Sequence, residues 1–332
     1  MILVTVGTQL PFDRLVEPVA RWARSRGVTD VYFQHGGTTV DLNGFESAAF
    51  LSPEQAANLL NQADVVVAHV GMGTILGCLE RGKPIVLLPR KASLGETRNE
   101  HQTASARSLE GREGVFIAWE ASELDAILDR VDQLKGGERI GSDASPELIQ
   151  TTRQFVTRAA AGKEQHALPS GGAKPRKKVL AIASKGGHWT ELRRIAPALE
   201  NCDVLWACTD ITMSAEVTSG RFTTVPDANR WQKLRLLWCA LRIALLVLKE
   251  RPDVVVSTGA APGYFALRVA SLIGRRTLWL DSVANAEELS MSGQKAAAFA
   301  TLALTQWPEL GESLPPRTTR QRGRIYHAGA VV

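Results

Sequence analysis

The sequence predicts an α/β protein made of two Rossmann-like, doubly wound parallel-sheet domains that face each other across a cleft. Its 332 residues suggest two domains at ~150 residues each. In each half, short β-branched runs alternate with amphipathic stretches, which is the pattern of a parallel sheet covered by helices. A segment rich in Gly, Pro, Ser and Lys separates the halves. We therefore expect domains at 1–161 and 179–332, joined by a linker at 162–178.

The first half supplies five candidate strands and at least as many helices. The strands are Ile2–Val6, Val31–Gln34, Val65–His69, Ile85–Pro89 and Val115–Ile117. Helices are expected to begin near Phe12, Pro53, Thr74, Arg98 and Ser122, and a polar helix is expected over Pro146–Ala159.

The second half restarts the pattern. Its candidate strands are Val179–Ala183, Val204–Ala207, Val254–Ser257 and Thr277–Leu280. Open α/β sheets bind ligands at the carboxyl ends of their strands. The strand-to-helix turns of both halves are therefore the places to search for a site.

Composition excludes several classes of protein. With 45% hydrophobic and 22% charged residues, the chain is neither disordered nor collagen-like. A net charge of +5 suits an anionic partner: nucleic acid, anionic lipid or a phosphorylated substrate. The four cysteines form no CxxC pair and no zinc-ligand spacing, which predicts a reduced cytoplasmic setting and no bound metal. The sequence shows neither a signal-peptide pattern nor an apolar run of the ~20 residues needed to span a bilayer.

Three turns of the first half carry residues suited to a pyrophosphate. They are Gly7-Thr8-Gln9, the run from His69 through Gly71 and Gly73 to Thr74, and the run GETRNEHQ at 95–102. Small residues let backbone N–H groups approach a phosphate, and a helix N-terminus favours its charge. The alternative is that these glycines only permit tight turns. The absence of a GxGxxG pattern argues against a dinucleotide cofactor.

The runs VTVGTQLPFDRL, ADVVVAHVGMGTIL, RGKPIVLLPR and GETRNEHQ resemble a known family of sugar transferases. They are similar to the catalytic subunit of the eukaryotic two-subunit UDP-GlcNAc transferase of dolichol-linked oligosaccharide synthesis, and more closely to bacterial exopolysaccharide subunits of that type. The donor-binding domain of glycosyltransferase family 28, the family of the peptidoglycan lipid II synthase, is a more distant match. The resemblance covers about 1–135 and implies the GT-B type of fold.

This resemblance implies roles for particular residues. Gly71, Gly73 and Thr74 would face the donor pyrophosphate and ribose, and His101 and Gln102 would contact the donor sugar. The family often has a glutamate on the helix after the glycine-rich turn, where this chain has Gly77. Glu80 lies one turn further along and is the expected substitute in ribose binding.

Three basic residues, Arg90, Lys91 and Arg98, cluster around the sugar-facing turn. A guanidinium matches a carboxylate with two parallel hydrogen bonds, so the cluster favours an anionic sugar such as glucuronic acid. The alternative is ordinary surface charge.

The second half offers a candidate catalytic base. His188 follows Gly186 and Gly187 at a strand end, and an imidazole can accept a proton from a sugar hydroxyl near neutral pH. The alternative is a histidine that only caps a helix.

The runs ASKGGHWTEL, DVVVSTGAAPGYFAL, DSVANAEELSMSG and TQWPEL occur in that order over 179–332. Together they resemble the membrane-recruiting subunit of the same transferase. By that resemblance Asp281, which replaces a family glutamate, and Ser282 line the cleft. Glu191 or Asp281 is expected to orient the His188 imidazole.

The stretch Leu234–Leu248 is apolar but too short to span a membrane. Arg235, Arg242 and Lys249 recur every seven residues and give the predicted helix one basic stripe. Such a helix lies in the interface of an anionic membrane, with Leu234, Trp238 and Leu245 on its apolar surface. The alternative is a core helix packed on the sheet.

The sequence thus predicts an inverting, metal-independent glycosyltransferase without a cofactor, acting on the cytoplasmic face of the inner membrane. The expected donor is a UDP-sugar, with UDP-glucuronate preferred over UDP-galactose and UDP-GlcNAc. The expected acceptor is a polyprenyl-pyrophosphate-linked sugar of exopolysaccharide assembly, and no nucleic acid is expected to bind. A UDP-sugar 2-epimerase and a non-catalytic membrane-recruiting scaffold are the alternatives.

Overall fold

The computed structural model describes residues 1–8, 10–97, 101–158, 176–228, 232–313 and 323–331. The predicted site residues Gln9 and Arg98, the side chain of His101 and most of the predicted linker lie outside this description. The chain divides into two compact units, Met1–Ser142 and Asp143–Val332.

The first unit is a six-stranded sheet in the order β3-β2-β1-β4-β5-β6, and all its strand pairs are parallel. Its strands are β1 (Ile2–Thr5), β2 (Val31–Gln34), β3 (Glu46–Ala48), β4 (Val65–His69), β5 (Ile85–Leu88) and β6 (Val115–Ile117). Its helices are α1 (Asp13–Arg26), α2 (Pro53–Gln62), α3 (Met72–Arg81), α4 (His101–Leu109) and α5 (Leu124–Leu128). The order reverses direction between β1 and β4, which is the switch point of a Rossmann-type sheet.

Local sequence explains where these helices start and stop. Ser52 and Gln55 form a reciprocal capping box at the start of α2, with Pro53 at the first helical position. Helix α3 ends on Gly82, whose positive φ of 62° suits the left-handed cap that glycine adopts without strain. The apolar face of α1, including Leu15 and Val19, is fully buried against the sheet.

The second unit repeats the architecture with eight strands in the order β13-β14-β12-β11-β10-β7-β8-β9, again all parallel. Its strands are β7 (Lys178–Ala183), β8 (Asp203–Cys208), β9 (Arg221–Thr224), β10 (Val254–Ser257), β11 (Arg276–Leu280), β12 (Leu302–Thr305), β13 (Glu312–Ser313) and β14 (Tyr326–His327). Its helices are α6 (Pro146–Thr157), α7 (Gly187–Arg194), α8 (Lys233–Glu250), α9 (Ala260–Leu272) and α10 (Met291–Ala297). Its switch point lies between β7 and β10.

The predicted fold class is confirmed: both units are doubly wound parallel-sheet α/β structures. The sequence did not indicate the strands β3, β9, β12, β13 and β14. Strands β3, β9, β13 and β14 have four residues or fewer and lie at or next to the edge of their sheets, where a continuous apolar run is not required. Strand β12 is buried along its whole length but has only four residues.

The boundary between the units differs from the expected one. Helix α6, expected to close the first domain, packs on the second unit: Arg153 donates to the carbonyl of Pro197 (2.7 Å), and Arg276 lies over the Phe155 ring (4.2 Å). The division therefore falls after Ser142. The glycine- and proline-rich segment marked a connection but not the boundary, because α6 before it buries its apolar face on the later sheet.

Candidate functional site

The switch point of the first unit is built around His69, the last residue of β4. A Cβ added to Gly7, in the turn after β1, would lie 2.6 Å from its Cε1 atom, and one added to Gly71, which precedes α3, also 2.6 Å. Gly7 additionally has a φ of +75°. The imidazole thus lies between two backbone turns that only glycine permits to come so close.

Burial and the charge of Arg90 lower the pKa of His69 to about 4, so the ring is neutral near pH 7. Its Nδ1 atom is buried without a hydrogen-bond partner. The ring also has a hydrogen bond with the backbone of Thr5, so the strand end presents a neutral imidazole with one unpartnered nitrogen.

A buried glutamine fixes the Gly7 turn. The side chain of Gln34, at the end of β2, accepts from the Gly7 amide (3.1 Å) and the Thr5 hydroxyl (2.6 Å), and donates to the carbonyls of Gly7 (3.0 Å) and Ala49 (2.8 Å). The sequence analysis missed this residue. A polar residue ending a buried strand beside a glycine turn was the signal that could have found it.

The N-terminus of α3 carries the other residues implied by resemblance. Gly71 precedes the helix without a side-chain cap, and the first turn has no acidic residue. Gly73 and Thr74 in that turn are half-buried, and Thr8 in the turn after β1 is exposed. Because the first N–H groups of a helix have no internal partners, this turn can bind an anion.

Gln102 braces the two turns next to this site. Its side-chain oxygen accepts from the amides of Val70 (3.2 Å) and Arg90 (3.1 Å), which follow β4 and β5. Gln102 is therefore a structural link between these turns, and its contact with a donor sugar stays a prediction.

The expectation that Arg90 binds a substrate carboxylate is wrong. Its side chain is 4% exposed, and its terminal nitrogens donate to four backbone carbonyls, those of Val6, Leu10, Pro11 and Glu96, at 2.7–3.0 Å. The guanidinium also lies 4.4 Å from the centre of the Phe12 ring. Arg90 ties together the loops after β1 and β5, and its terminal N–H groups are already used.

The neighbouring cation is paired as well. The ammonium of Lys91 forms an ion pair with Glu120, and the backbone amide of Lys91 donates to Glu96 (2.9 Å). Both members of the cluster that the structure describes therefore have partners inside the protein.

Glu80 does not occupy the position expected of a ribose ligand. It lies in the last turn of α3, nine residues after Gly71, which places it ~13 Å along the helix axis. Its carboxylate is 3.8 Å from Arg81. A Cβ on Gly77, the position of the family glutamate, would meet Leu60 of α2 at 2.8 Å. The face that would carry the glutamate is used instead for packing between α2 and α3.

The switch point of the second unit is built around His188. Gly186, with φ +82°, begins the turn into α7, and a Cβ on Gly259, with φ +146°, would lie 2.5 Å from His188 Nδ1. The hydroxyl of Thr258 donates to the carbonyl of His188 (2.6 Å), which joins the turns after β7 and β10. Both units therefore place a histidine against glycine at the switch point.

The His188 imidazole is prepared to act as a base. Burial lowers its pKa, although the nearby charge of Asp281 opposes the shift. Its Nδ1 atom is buried without a partner. The ring is thus neutral at physiological pH and can accept a proton.

The two carboxylates expected to orient His188 are hydrogen-bonded to other groups, although the charge of Asp281 still acts on the imidazole. Glu191 accepts hydrogen bonds from the Ser282 hydroxyl (2.5 Å), the Val283 amide (3.3 Å) and the Gln306 side chain (2.8 Å). Its side chain is fully buried, and burial raises its pKa to about 8. Glu191 holds α7 to the turns after β11 and β12.

Asp281 is likewise occupied by its own loop. Its carboxylate accepts from the Trp279 indole (3.1 Å), the Asn285 amide (3.2 Å), and the Ser290 hydroxyl (2.6 Å) and backbone (2.8 Å). Ser282, expected to line the cleft, is 5% exposed and uses its hydroxyl on Glu191. These residues shape the turn beside His188 but do not touch the imidazole. Gln306, Asn285 and Ser290 belong to the quoted motifs, but their roles needed the structure.

Helix α8 buries one narrow stripe, Cys239, Ile243 and Val247, in the core of the second unit. A second apolar stripe remains exposed on the same helix. It comprises Leu234, Leu237, Trp238, Leu241, Leu245 and Leu248, each 50–85% exposed. The predicted basic residues Arg235 and Arg242 are also exposed, and Arg242 lies over the Trp238 ring (5.5 Å).

Helix α8 thus has two apolar stripes, one packed on the core of the second unit and one exposed. No helix within the described ranges is both long and apolar enough to traverse a bilayer. Within those same residues, no group of three or more His, Cys, Asp or Glu side chains could hold a metal ion. Metal-independent catalysis stays a prediction.

Comparison with known proteins bears out the coarser part of the resemblance. Residues 1–133 match the family described as the glycosyltransferase family 28 C-terminal domain. The chain is 37% identical over 76 residues to the UDP-N-acetylglucosamine transferase subunit ALG14 of Yarrowia lipolytica, covering 21% of this chain and 35% of that protein. It is 33% identical over 116 residues to the subunit ALG13 of Mus musculus, covering 32% of this chain and 10% of that protein.

A third relative is the UDP-N-acetylglucosamine–N-acetylmuramyl-(pentapeptide) pyrophosphoryl-undecaprenol N-acetylglucosamine transferase of Parasynechococcus marenigrum. It is 27% identical over 108 residues, covering 32% of this chain and 29% of that protein. The chain spans 35% or less of the length of each of these curated relatives. Within these limits, residues 1–133 match the glycosyltransferase family 28 C-terminal domain, and the chain is similar to both subunits of a UDP-N-acetylglucosamine transferase.

Proposed function

We propose that this chain is a glycosyltransferase that moves a sugar from a UDP-sugar to a polyprenyl-pyrophosphate-linked sugar. One observation carries the proposal: the unit that matches family 28 places a neutral histidine between two glycine turns at its switch point. That is the place where open α/β sheets bind nucleotides. The first unit would hold the donor and the second the acceptor.

The donor pyrophosphate would bind the turns around Gly7 and Gly71. The unpaired N–H groups at the start of α3 and the positive end of its dipole favour the charge that develops on the UDP leaving group. Gln34 and Arg90 preorganise these turns through hydrogen bonds to the backbone.

The identity of the donor sugar rests on other observations than the fold. UDP-glucuronate, the sequence-based expectation, relied on Arg90, and that support is lost because its terminal N–H groups already bind four carbonyls. All three relatives are named as transferases of N-acetylglucosamine. UDP-GlcNAc is therefore our first choice, ahead of UDP-glucuronate and UDP-galactose.

The transfer step would be a single displacement with inversion. His188 takes the proton from the acceptor hydroxyl, whose oxygen attacks the anomeric carbon while the bond to the β-phosphate oxygen breaks and UDP leaves. The lowered pKa of His188 keeps the base unprotonated near pH 7. Glu191 and Ser282 tie α7 to the turn after β11, and Asp281 acts on the His188 ring through its charge.

The exposed stripe of α8 would bind the surface of an anionic membrane. A stripe of six large apolar side chains beside Arg235 and Arg242 matches an interfacial helix. Binding there would bring the second unit to a lipid-linked acceptor on the cytoplasmic face.

A fusion of donor and acceptor units would raise their effective concentration, compared with two separate subunits. Use in exopolysaccharide assembly is the setting we propose for such a chain.

The test of activity is UDP release from a panel of UDP-sugars with a polyprenyl-pyrophosphate-linked acceptor. His188→Ala should lower turnover by roughly 10²–10⁴ while UDP affinity is retained. Thr190→Ala, two residues along the same helix, serves as the matched control for a general disturbance of α7. Full activity of the His188 variant would remove the base from the mechanism.

The test of membrane binding is flotation with anionic and neutral vesicles. The double variant Leu237→Ser/Leu241→Ser should lose flotation, and Arg235→Glu/Arg242→Glu should lose it on anionic vesicles. Phe50→Ser removes an equally exposed apolar side chain from the first unit and should not change it. If every variant floated to the same extent as the wild type, the role of α8 in membrane binding would be contradicted.

A non-catalytic scaffold remains the second candidate, because Gly77 packs against Leu60 where the family has its glutamate. Calorimetry with UDP separates the two: a scaffold shows no UDP affinity, whereas the enzyme does.

A further inference from the structure

The turns after β7 and β8 join a cation to an exposed apolar side chain. Lys185 donates its backbone amide to the Thr209 hydroxyl (3.0 Å), and its ammonium lies 3.4 Å from Asp210. Asp210 is the N-cap of the short 3₁₀ turn Ile211–Glu216, and its carboxylate also accepts from the amide (3.0 Å) and hydroxyl (2.8 Å) of Thr212. Ile211, the first residue of that turn, is 62% exposed.

This pair lies beside the candidate base. Strands β7 and β8 are neighbours with Ala183 opposite Cys208, so residues 185 and 210 both follow the same carboxyl edge. Lys185 directly precedes Gly186, where the turn into α7 begins, and His188 follows in the first turn of that helix.

Further exposed apolar side chains follow the next strand of the sheet, β9. Strand β9 pairs with β8, with Thr224 opposite Cys208, and α8 follows β9 in the chain; Leu234, its second residue, is 85% exposed. The carboxyl edge of β7 and β8 therefore presents the candidate base, an ammonium group and an exposed apolar side chain.

We propose that Lys185 and Ile211 bind the acceptor lipid: Lys185 its diphosphate and Ile211 its first isoprenoid units. The inference rests on the proposed function and names the residues that would make its second site selective for a polyprenyl diphosphate. A diphosphate attached to an apolar chain requires a cation next to an apolar surface, and this juxtaposition supplies both.

The geometry suits exchange of a partner at Lys185. Its ion pair with Asp210 joins side chains that are 45% and 26% exposed, and such partly exposed pairs are weak. Asp210 itself is held by Thr212 on its other oxygen, so it can keep the lysine positioned while the ammonium turns its remaining N–H groups to a phosphate.

The experiment measures binding of farnesyl diphosphate to the full chain by calorimetry, with farnesol and inorganic pyrophosphate as separate ligands. Lys185→Ala should lower the affinity for farnesyl diphosphate about tenfold, since one charge-assisted contact is lost. Ile211→Ser should weaken it about fivefold through lost apolar contact, without changing pyrophosphate binding. Farnesyl diphosphate should bind the wild type more tightly than either partial ligand.

Matched controls lie at the opposite edge of the same unit. Lys178→Ala removes an exposed lysine at the other end of β7, and Leu272→Ser removes a leucine with 69% exposure at the end of α9. Both should bind farnesyl diphosphate as the wild type does.

Equal farnesyl diphosphate affinity in the wild type, Lys185→Ala and Ile211→Ser would overturn the proposal. The proposal would also be overturned if farnesyl diphosphate did not bind and Lys185→Ala floated less well on anionic vesicles. Lys185 would then contact the anionic headgroups of the membrane and not the acceptor lipid. UDP affinity is measured in the same samples. Its presence leaves the donor function intact when the lipid result is negative, and its absence in every sample refutes the donor function independently.

Discussion

Replacing Glu191 by glutamine is expected to stabilise the protein progressively as pH rises from about 4.5 to about 8. Burial raises the pKa of this carboxyl from 4.5 to about 8, against the opposing effect of its three hydrogen-bond donors. Between these values the folded state keeps a proton that the unfolded chain releases. Stability of the wild type therefore falls as pH rises through this window.

The magnitude follows from the two pKa values. At ~1.4 kcal/mol for each pKa unit, the difference between 4.5 and about 8 gives ~5 kcal/mol as the upper limit of the loss. Glutamine fits the same contacts: its oxygen can accept from Gln306 and Val283, and its amide nitrogen can donate to Ser282. The variant keeps the network but has no proton to lose.

The assay is urea denaturation at pH 5, 6, 7 and 8, in steps chosen to cover the window. The stability difference between Glu191→Gln and the wild type should grow by several kcal/mol across it. Glu200→Gln, at an exposed position of the same unit, should stay within ~0.5 kcal/mol of the wild type at every pH. A constant difference for Glu191→Gln would refute the reasoning, because the carboxyl would then ionise alike in both states.

Four further expectations follow from the two switch points and the backbone. Gly71→Ala should lower the affinity for UDP, measured by calorimetry, at least about tenfold, because the added Cβ meets the His69 ring. Gly37→Ala, whose added Cβ meets Pro11 at an ordinary 3.6 Å, should leave the affinity for UDP unchanged. Arg90→Ala should lower the free energy of unfolding in urea by ~3–5 kcal/mol, because four carbonyls lose their hydrogen-bond donor. A decrease below ~1 kcal/mol together with weaker UDP-glucuronate binding would instead support a role for Arg90 in binding the donor sugar. Because burial lowers the pKa of His188, the acid limb of the kcat–pH profile should fall below pH 6.5, and a midpoint above that value contradicts the base. Arg251→Gly should raise the unfolding free energy by ~1 kcal/mol, since residue 251 has a φ of 48° at the end of α8; an unchanged value would show no strain there.

Residues whose role depends on local chain geometry were predictable. Gly71 and Gly186 follow strands and open helices, and both positions lie at the switch points. His188 was predicted beside a glycine turn, and its imidazole packs against Gly259.

Residues whose role depends on partners distant in sequence could not be predicted. Arg90 looked like a surface cation, but three of the four carbonyls it binds lie about 80 positions earlier, from Val6 to Pro11. Glu191 looked like a partner for His188, three positions away, but its own partners are Ser282 and Gln306. Nothing in the local pattern distinguishes a charge that faces a ligand from one buried among backbone carbonyls.

By itself the sequence determined the two parallel sheets, the strand-end turns and the amphipathic character of α8, because hydrophobic periodicity and turn chemistry act between residues close together in the chain. Only the tertiary structure decided that α6 packs on the second unit, that α2 covers Gly77, and which charged groups are already bound. Burial and hydrogen-bond pairing depend on contacts between distant segments, and folding brings those segments together in a way that local patterns do not encode.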